Sequence, residues 1–456
     1  MSTRFAWLLG VVGLILIALL VACSSVYNSS SDGLLVVGSQ GSGLLESFSF
    51  SLASGRVQEI TNSVIDTADE TCVLPGIPSS IVLDAAGAYA YTILTQNSAC
   101  PGSQTGIGVS KVNSDGTLTT MGSPIQLNNA NVEVCESGSG GSPTLENVPV
   151  VPVFLKMDSK GQYLFVADAA TTDANGNAAP GAVTVFTVGS GSLTEVSGSP
   201  FTVPTSCAVP ANNLTSLAAS PTVFPPLING VQYAVCATMT PPTAEYLYVA
   251  DSTQEGMLWE FQVDTSTGAL GPPGSYPTIP SFATGQVPSG VVVDPCNRFV
   301  YVSNQGTSNT ISGFSICNGG TTQSPNCPSI QEAPQGDGSL WPITGSPFSN
   351  TGSAGYPGPL IVDAYGNYLY VLNTTNNISP FRISPVSGSI SPLTPSPIAT
   401  GMGATSIAIR SDDSWLFVTN FISATVSQYS VTPSTGALTP VPSIQTDNYP
   451  WGVAVK

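Results

Sequence analysis

The chain of 456 residues contains no histidine, and only 9 Lys and Arg residues stand against 27 Asp and Glu. With no His and no pair of cysteines at CxxC spacing, a zinc site is not expected. The shortage of cations and a formal net charge of −18 argue against nucleic acid or anionic membrane surfaces as partners. Charged residues of both signs make up only 8% of the chain, too few for the solvated faces of a helical protein. Disorder is not expected either, because a hydrophobic fraction of 42% can build a core. Gly, Pro, Ser and Thr fill the remainder, the composition of many short buried strands joined by tight turns.

Residues 1–22 carry one cation, Arg4, ahead of an apolar run from Trp7 to Leu20, which reads as an export signal. The run ends in Leu20-Val21-Ala22-Cys23-Ser24-Ser25, which resembles the lipobox of bacterial lipoproteins. That resemblance implies cleavage before Cys23 and lipidation of Cys23. With Ser24 following instead of Asp, it also implies the outer membrane where the cell has one. An uncleaved helical anchor is the alternative, since the run is almost long enough to span a bilayer. Either way the body lies outside the cytoplasm, in the cell envelope, attached to the membrane. The expected organisation is a signal at 1–22, a lipidated linker at 23–32 and a single domain at 33–456.

Setting Cys23 aside leaves Cys72, Cys100, Cys135, Cys207, Cys236, Cys296, Cys317 and Cys327. An even number in an exported chain reads as disulfides. Cys317 and Cys327 flank one Gly/Pro-rich loop and are the best single pair; the other pairings stay open.

A small polar residue, Gly, any residue and an apolar residue recur seven times. The copies begin at Ser54, Asp115, Ser190, Thr267, Asp337, Ser387 and Thr435. Glycine there supplies the positive φ of a tight hairpin, and the apolar residue starts the next strand. Ahead of each hairpin lies an apolar phrase such as Val287-Pro288 to Asp294, a strand A buried on both faces. Strand B follows, as in Tyr246-Leu247-Tyr248-Val249-Ala250-Asp251, then a shorter strand C and the outer strand D. Four antiparallel strands repeated seven times are an all-β, seven-bladed β-propeller. The first complete strand, near Leu34, is a strand B, while Tyr449 to Lys456 is a strand A. The C-terminal strand therefore joins the first blade and closes the ring.

These phrases resemble the lactonase family of seven-bladed propellers, whose members include 6-phosphogluconolactonases. The resemblance runs from Leu34 to Lys456 and rests on the strand B phrase and on the Gly436-Ala437-Leu438-Thr439 hairpin. It implies a binding site at one mouth of the central channel. In the enzymatic relatives Arg, His and Glu at the channel are the proposed catalytic groups. This chain has no His, and Arg56, Arg298 and Arg410 fall on the opposite, turn face.

Three sets of residues are candidates at the mouth. The strand B ends Ser39, Asp168, Asp251, Asn304, Asn373 and Asn420 form a broken ring of oxygens that suits Ca²⁺ or sugar hydroxyls, or else caps its own turns. Tyr356, Tyr449 and Trp451 sit where strand A begins, placed to stack on a sugar or lactone ring or to plug the channel. Lys156 occupies a strand A column otherwise filled by Val82, Val292, Ile361, Ala408 and Ala454, as a base, a charge binder or half of a structural ion pair. Two functions follow. One is a monomeric binding module for a glycan, peptide or protein partner, using Asn304, Asn373, Asn420, Tyr356, Tyr449 and Trp451. The other is a divergent lactonase for an uncharged sugar lactone, with Asp168, Asp251 or Lys156 as catalytic groups, and Asp168 and Asp251 as metal ligands if a metal is used.

Overall fold

The computed structural model describes residues 32–456 apart from 42, 61–64, 67–76, 97–104, 135–143, 174, 205–212, 223–243, 253–254, 274–275, 308, 318–326, 328–337 and 351–354. The export segment, Cys23 and the cysteines at 72, 100, 135, 207 and 236 lie outside the described residues. Among the described residues every regular element is a β-strand.

Seven antiparallel blade sheets are formed, each running from an inner strand A to an outer strand D, and two small two-stranded ribbons, Ala130–Val134 with Thr144–Val148 and Thr171–Thr172 with Ala178–Ala179, stand beside them. The inner strands are Pro450–Val455, Ile77–Leu83, Val151–Met157, Leu214–Ala219, Pro288–Val293, Pro357–Val362 and Ala404–Ile409 for blades 1 to 7. Each lies against the next around a closed ring, so the protein is a seven-bladed β-propeller. The closure is the expected one: Pro450–Val455 pairs antiparallel with Asp32–Ser39, joining the two ends of the described chain within blade 1. Blade 4, whose inner strand is hidden in a Pro-rich stretch of sequence, uses Leu214–Ala219.

Strand B of every blade is buried almost throughout, as in Glu245–Asp251 and Phe299–Asn304, because both of its faces pack against neighbouring blades. The core is thus a set of inter-blade layers; one joins Phe165 and Val185 of blade 3 to Leu247 and Val249 of blade 4. Burying side chains of this size stabilises by about 1.5–3 kcal/mol each, which lets a chain so poor in charge fold.

The hairpin glycines serve these layers as well as the turns. All seven take positive φ, from 67° at Gly55 to 81° at Gly116. A Cβ on Gly436 would meet the Tyr368 ring of blade 6 at 2.3 Å, and one on Gly388 would meet Phe299 of blade 5 at 2.5 Å. Gly55, Gly191, Gly268 and Gly338 stand in the same way against Trp415, Tyr89, Tyr163 and Tyr246. Six of the seven hairpins therefore pack on the aromatic residue near the start of strand B in the preceding blade; blade 1, which precedes the Gly116 hairpin, has no aromatic there. The hydroxyls of Tyr248, Tyr301 and Tyr370 then donate to the carbonyls of Gly338, Gly388 and Gly436.

Aspartates that end the strand A phrase cap the A–B turns on this same face. Asp84 and Asp363 each accept two backbone N–H groups from the turn that follows, and Asp158 accepts three. Below the C strand of blade 5, Cys317 is joined to Cys327 with the Cα atoms 5.8 Å apart. Cys296, fully buried in an A–B turn, is also disulfide-bonded.

Candidate functional site at the channel mouth

At the opposite face all seven inner strands break register just after they begin. The residues left out of the ladder include Val153, Thr215, Ser289, Thr405 and Trp451. A bulge at a barrel or propeller rim turns a side chain away from the sheet. Three of these side chains reach the next blade. Thr215 donates to the Pro288 carbonyl, Ser289 to that of Pro357, and Thr405 to those of Pro450 and Trp451. In blade 2, Ser80 accepts the Leu155 N–H of blade 3. The channel rim is stitched by these contacts, and in blade 1 the corresponding residue is Trp451, which has no hydroxyl and is 40% exposed.

The residue ahead of the proline that opens strand A is exposed and apolar in several blades: Val151, Val287, Tyr356 and Tyr449. Tyr449 and Val287 have φ of 60° and 55°, although each precedes a proline. Left-handed backbone at a β-branched residue costs on the order of 1–3 kcal/mol, and such strain tends to gather at functional sites. On blades 7 and 1 these positions coalesce. The Phe421 ring stacks on Tyr449 at 4.6 Å and meets Trp451 edge-on at 5.4 Å. Met402 and Ile422, more than half exposed, lie beside them, joined through the Ile422 N–H and the Met402 carbonyl. The result is a continuous apolar and aromatic crescent on the rim.

The ring of strand B ends is arranged differently from the expectation of an exposed mouth. Ser39, Asp168, Asp251, Asn304, Asn373 and Asn420 are all buried. The amide of Asn304 donates to Thr310 and Ser312, that of Asn373 to Asn377 and Ser379, and that of Asn420 to Thr425 and Ser427. Ser312 and Ser427 in turn accept the N–H of Gly285 and Gly401, fixing the D–A loops. Those glycines approach so closely that a Cβ would meet the Asn304 and Asn420 amides within 2.7 Å. These asparagines therefore hold the B–C turns and offer no surface to a ligand. Asp251 accepts the Asn213 N–H and the Trp259 indole N–H. Asp168 accepts the Thr184 hydroxyl at 2.6 Å, and burial pushes its carboxyl up to about 8. Neither aspartate meets solvent, so neither presents an oxygen at the surface of the mouth. Among the described residues, no three His, Cys, Asp or Glu side chains converge as a metal site.

Lys156 stands apart. It lies on the inner strand of blade 3, paired across to Phe165 of strand B, and is solvent-exposed. Desolvation by the surrounding protein holds its ammonium below the usual lysine range. Its strand is one of the seven that surround the central axis of the ring. No hydrogen-bond or ion-pair partner of Lys156 lies among the described residues, so the structural ion pair entertained from the sequence is not seen there.

Over residues 344–454 the chain matches the family model "Lactonase, 7-bladed beta-propeller". That span covers blades 6 and 7 and most of the closing strand. Solved structures extend the likeness to the whole ring. A periplasmic gluconolactonase of Pseudomonas aeruginosa is 17% identical, with a TM-score of 0.62 over 93% of this chain and 99% of its own. A Bacteroides fragilis protein provisionally named 6-phosphogluconolactonase also has 17% identity and a TM-score of 0.62, over 94% and 99% of the two chains. A Lactobacillus plantarum protein has 13% identity and a TM-score of 0.60 over 93% and 99%. At these identities the likeness is one of fold. No curated protein matches the chain.

The aromatic candidates Tyr449 and Trp451 are brought together at one site, while Tyr356 lies on the neighbouring blade 6. Phe421, Met402 and Ile422 complete the crescent and are absent from the sequence reading. Their signal is faint but present: Asn420-Phe421-Ile422 puts two large apolar residues in a B–C turn, where blade 5 has Gln305-Gly306.

Proposed function

We propose that the propeller is an extracytoplasmic binding module whose site is the aromatic crescent on blades 7 and 1, taking the flat apolar face of a sugar-type ring. One observation carries this reading: Trp451, Tyr449 and the half-buried Phe421 form an exposed, mutually braced aromatic platform at the rim. Aromatic platforms present apolar area with little conformational freedom to lose, and Trp451 stands where Thr215, Ser289 and Thr405 in other blades serve only the fold. The disulfides at Cys317–Cys327 and Cys296 support an oxidising location, in keeping with the export segment and a lipid anchor at Cys23. Isothermal titration with a panel of oligosaccharides and sugar lactones tests the site. A ligand bound by the wild type is expected to lose at least about tenfold in affinity in Trp451→Ala and Tyr449→Ala. Affinity unchanged in both variants would remove the crescent from the function.

A lactonase acting on an uncharged lactone is the second reading. It draws on the lactonase family model and on the P. aeruginosa gluconolactonase. Its best residue is Lys156, the amine open to the channel and held toward its neutral form. Lactone opening needs a base for water and a donor for the developing oxyanion. The buried Asp168 and Asp251 provide neither at the mouth, which is why the binding reading is preferred.

A further inference from the structure

The Lys and Arg residues of the propeller all lie towards one face. Arg4 belongs to the export segment; of the others, Arg56 sits in a C–D hairpin and Lys160, Arg298 and Arg410 in A–B turns. Lys111, Lys156 and Arg382 are next to last in strands that run towards that turn face, and Lys456 follows the last residue of the closing strand. No other Lys or Arg occurs from residue 32 onward, so the mouth face has no basic residue. It does have carboxylates on the connections around the channel. Glu133 and Glu146 lie between blades 2 and 3, Glu255 in the B–C turn of blade 4, and Asp447 ahead of the closing strand. A face lined by one sign of charge concentrates ligands of the opposite sign and repels those of its own.

Asp447 ties this charge to the aromatic crescent. It is half-buried and lies two residues before Tyr449. Its N–H donates to the buried Glu46 carboxylate at 3.2 Å, and the Ser39 hydroxyl donates to the same oxygen at 2.9 Å. Those bonds fix the loop that carries Tyr449 and Trp451, with a carboxylate at its start. The exposed rings of Tyr449 and Trp451 add a second attraction for positive charge, since the face of an aromatic ring draws an ammonium group. A sugar bearing a phosphate or a carboxylate meets no guanidinium or ammonium on this face to hold it.

We infer that the ligand of the crescent is a cationic amino sugar, its ring against Tyr449 and Trp451 and its ammonium group towards Asp447. This rests on the reading of the crescent as a sugar site and narrows it to one charge class.

Isothermal titration at about pH 5.5 and ~50 mM NaCl, where surface charge is lightly screened, compares three tetramers of matched length. They are a glucosamine tetramer, charged at that pH, its uncharged N-acetylated form, and a uronate tetramer. The charged tetramer is expected to bind at least about tenfold more tightly than the uncharged one, and the uronate tetramer not to bind. The advantage should shrink at ~500 mM NaCl and in Asp447→Asn, while Trp451→Ala weakens both ligands. Equal affinity for the charged and uncharged tetramers, both weakened in Trp451→Ala, overturns the inference and leaves the crescent a sugar site. An advantage kept in full by Asp447→Asn also overturns it. No binding of any tetramer, or binding of the charged one that Trp451→Ala leaves unchanged, overturns the inference and the sugar reading together.

Discussion

Replacing Asp168 by Asn should make the protein more stable at pH 8 while changing little at pH 4. The structure makes this an unusually direct comparison, because Asn already occupies the equivalent place in blades 5, 6 and 7. There its amide donates to a hydroxyl on strand C, Ser312 in blade 5, and Thr184 is the matching hydroxyl in blade 3. Asp168 is fully buried, and one carboxylate oxygen has no hydrogen-bond partner. Burial is the largest cause of its upward shift to about 8, against which the Thr184 hydrogen bond acts weakly. An unfolded chain releases the same proton near pH 3.9. Between those values the folded state holds a proton that the unfolded state has lost, so stability is complete below about pH 4 and falls as pH rises towards 8. At about 1.4 kcal/mol per unit, four units would remove roughly 5–6 kcal/mol; relaxation and water entry around a buried charge bring the expectation to about 2–4 kcal/mol. Urea unfolding at pH 4.5 and pH 8 reads this out as the difference in midpoint between wild type and Asp168→Asn. A wild type that is more stable at pH 8 than at pH 4.5, or a variant weakened at pH 8, would refute the reasoning.

Other outcomes follow from the same geometry. Burial shifts both Asp363 and Asp413 upward, the Asp294 carboxylate adding to the first and Asp363 to the second, so one proton stays on the pair near neutrality. Asp413→Asn should therefore flatten the fall in stability between pH 5 and pH 8 without raising the wild-type midpoint at pH 5, as differential scanning calorimetry would show. Gly452→Val should lower stability by more than about 3 kcal/mol, since even a Cβ there meets the Ser79 carbonyl at 2.0 Å where the closing strand docks on blade 2. A thermal midpoint within a degree or two of wild type would contradict the tight closure. Lys156→Met removes a charge that desolvation disfavours and should raise the thermal midpoint at pH 7, the gain shrinking as pH approaches 10 and the amine loses its proton.

Much of the fold is legible in the chain because its signals are local and repeated. Glycine at the D hairpins, the Pro that opens strand A and the aromatic start of strand B each answer a backbone or packing need found in most blades. Half of the glycine's role was hidden all the same. Positive φ belongs to the turn, but the ring it packs against lies far off in the chain, as between Gly268 and Tyr163, or across the closure, as between Gly55 and Trp415. The strand B ends misled for a related reason. Asn304 and Asp168 look like ligand groups in a linear reading, yet their partners Ser312 and Thr184 sit across the B–C turn and bury them. Register alone placed Tyr449 and Trp451 at the rim. That Phe421 braces them depends on a loop of blade 7 meeting the end of the chain, a contact between blades that no local phrase encodes.

The most direct test of the binding account follows a sugar lactone by ¹H NMR in the presence of the protein, measuring complex formation and ring opening in the same sample. The account predicts saturable line broadening of the lactone that is lost in Trp451→Ala, with hydrolysis no faster than in buffer. Hydrolysis well above the buffer rate that survives Trp451→Ala and disappears in Lys156→Met would contradict it and make the channel amine the centre of an enzyme.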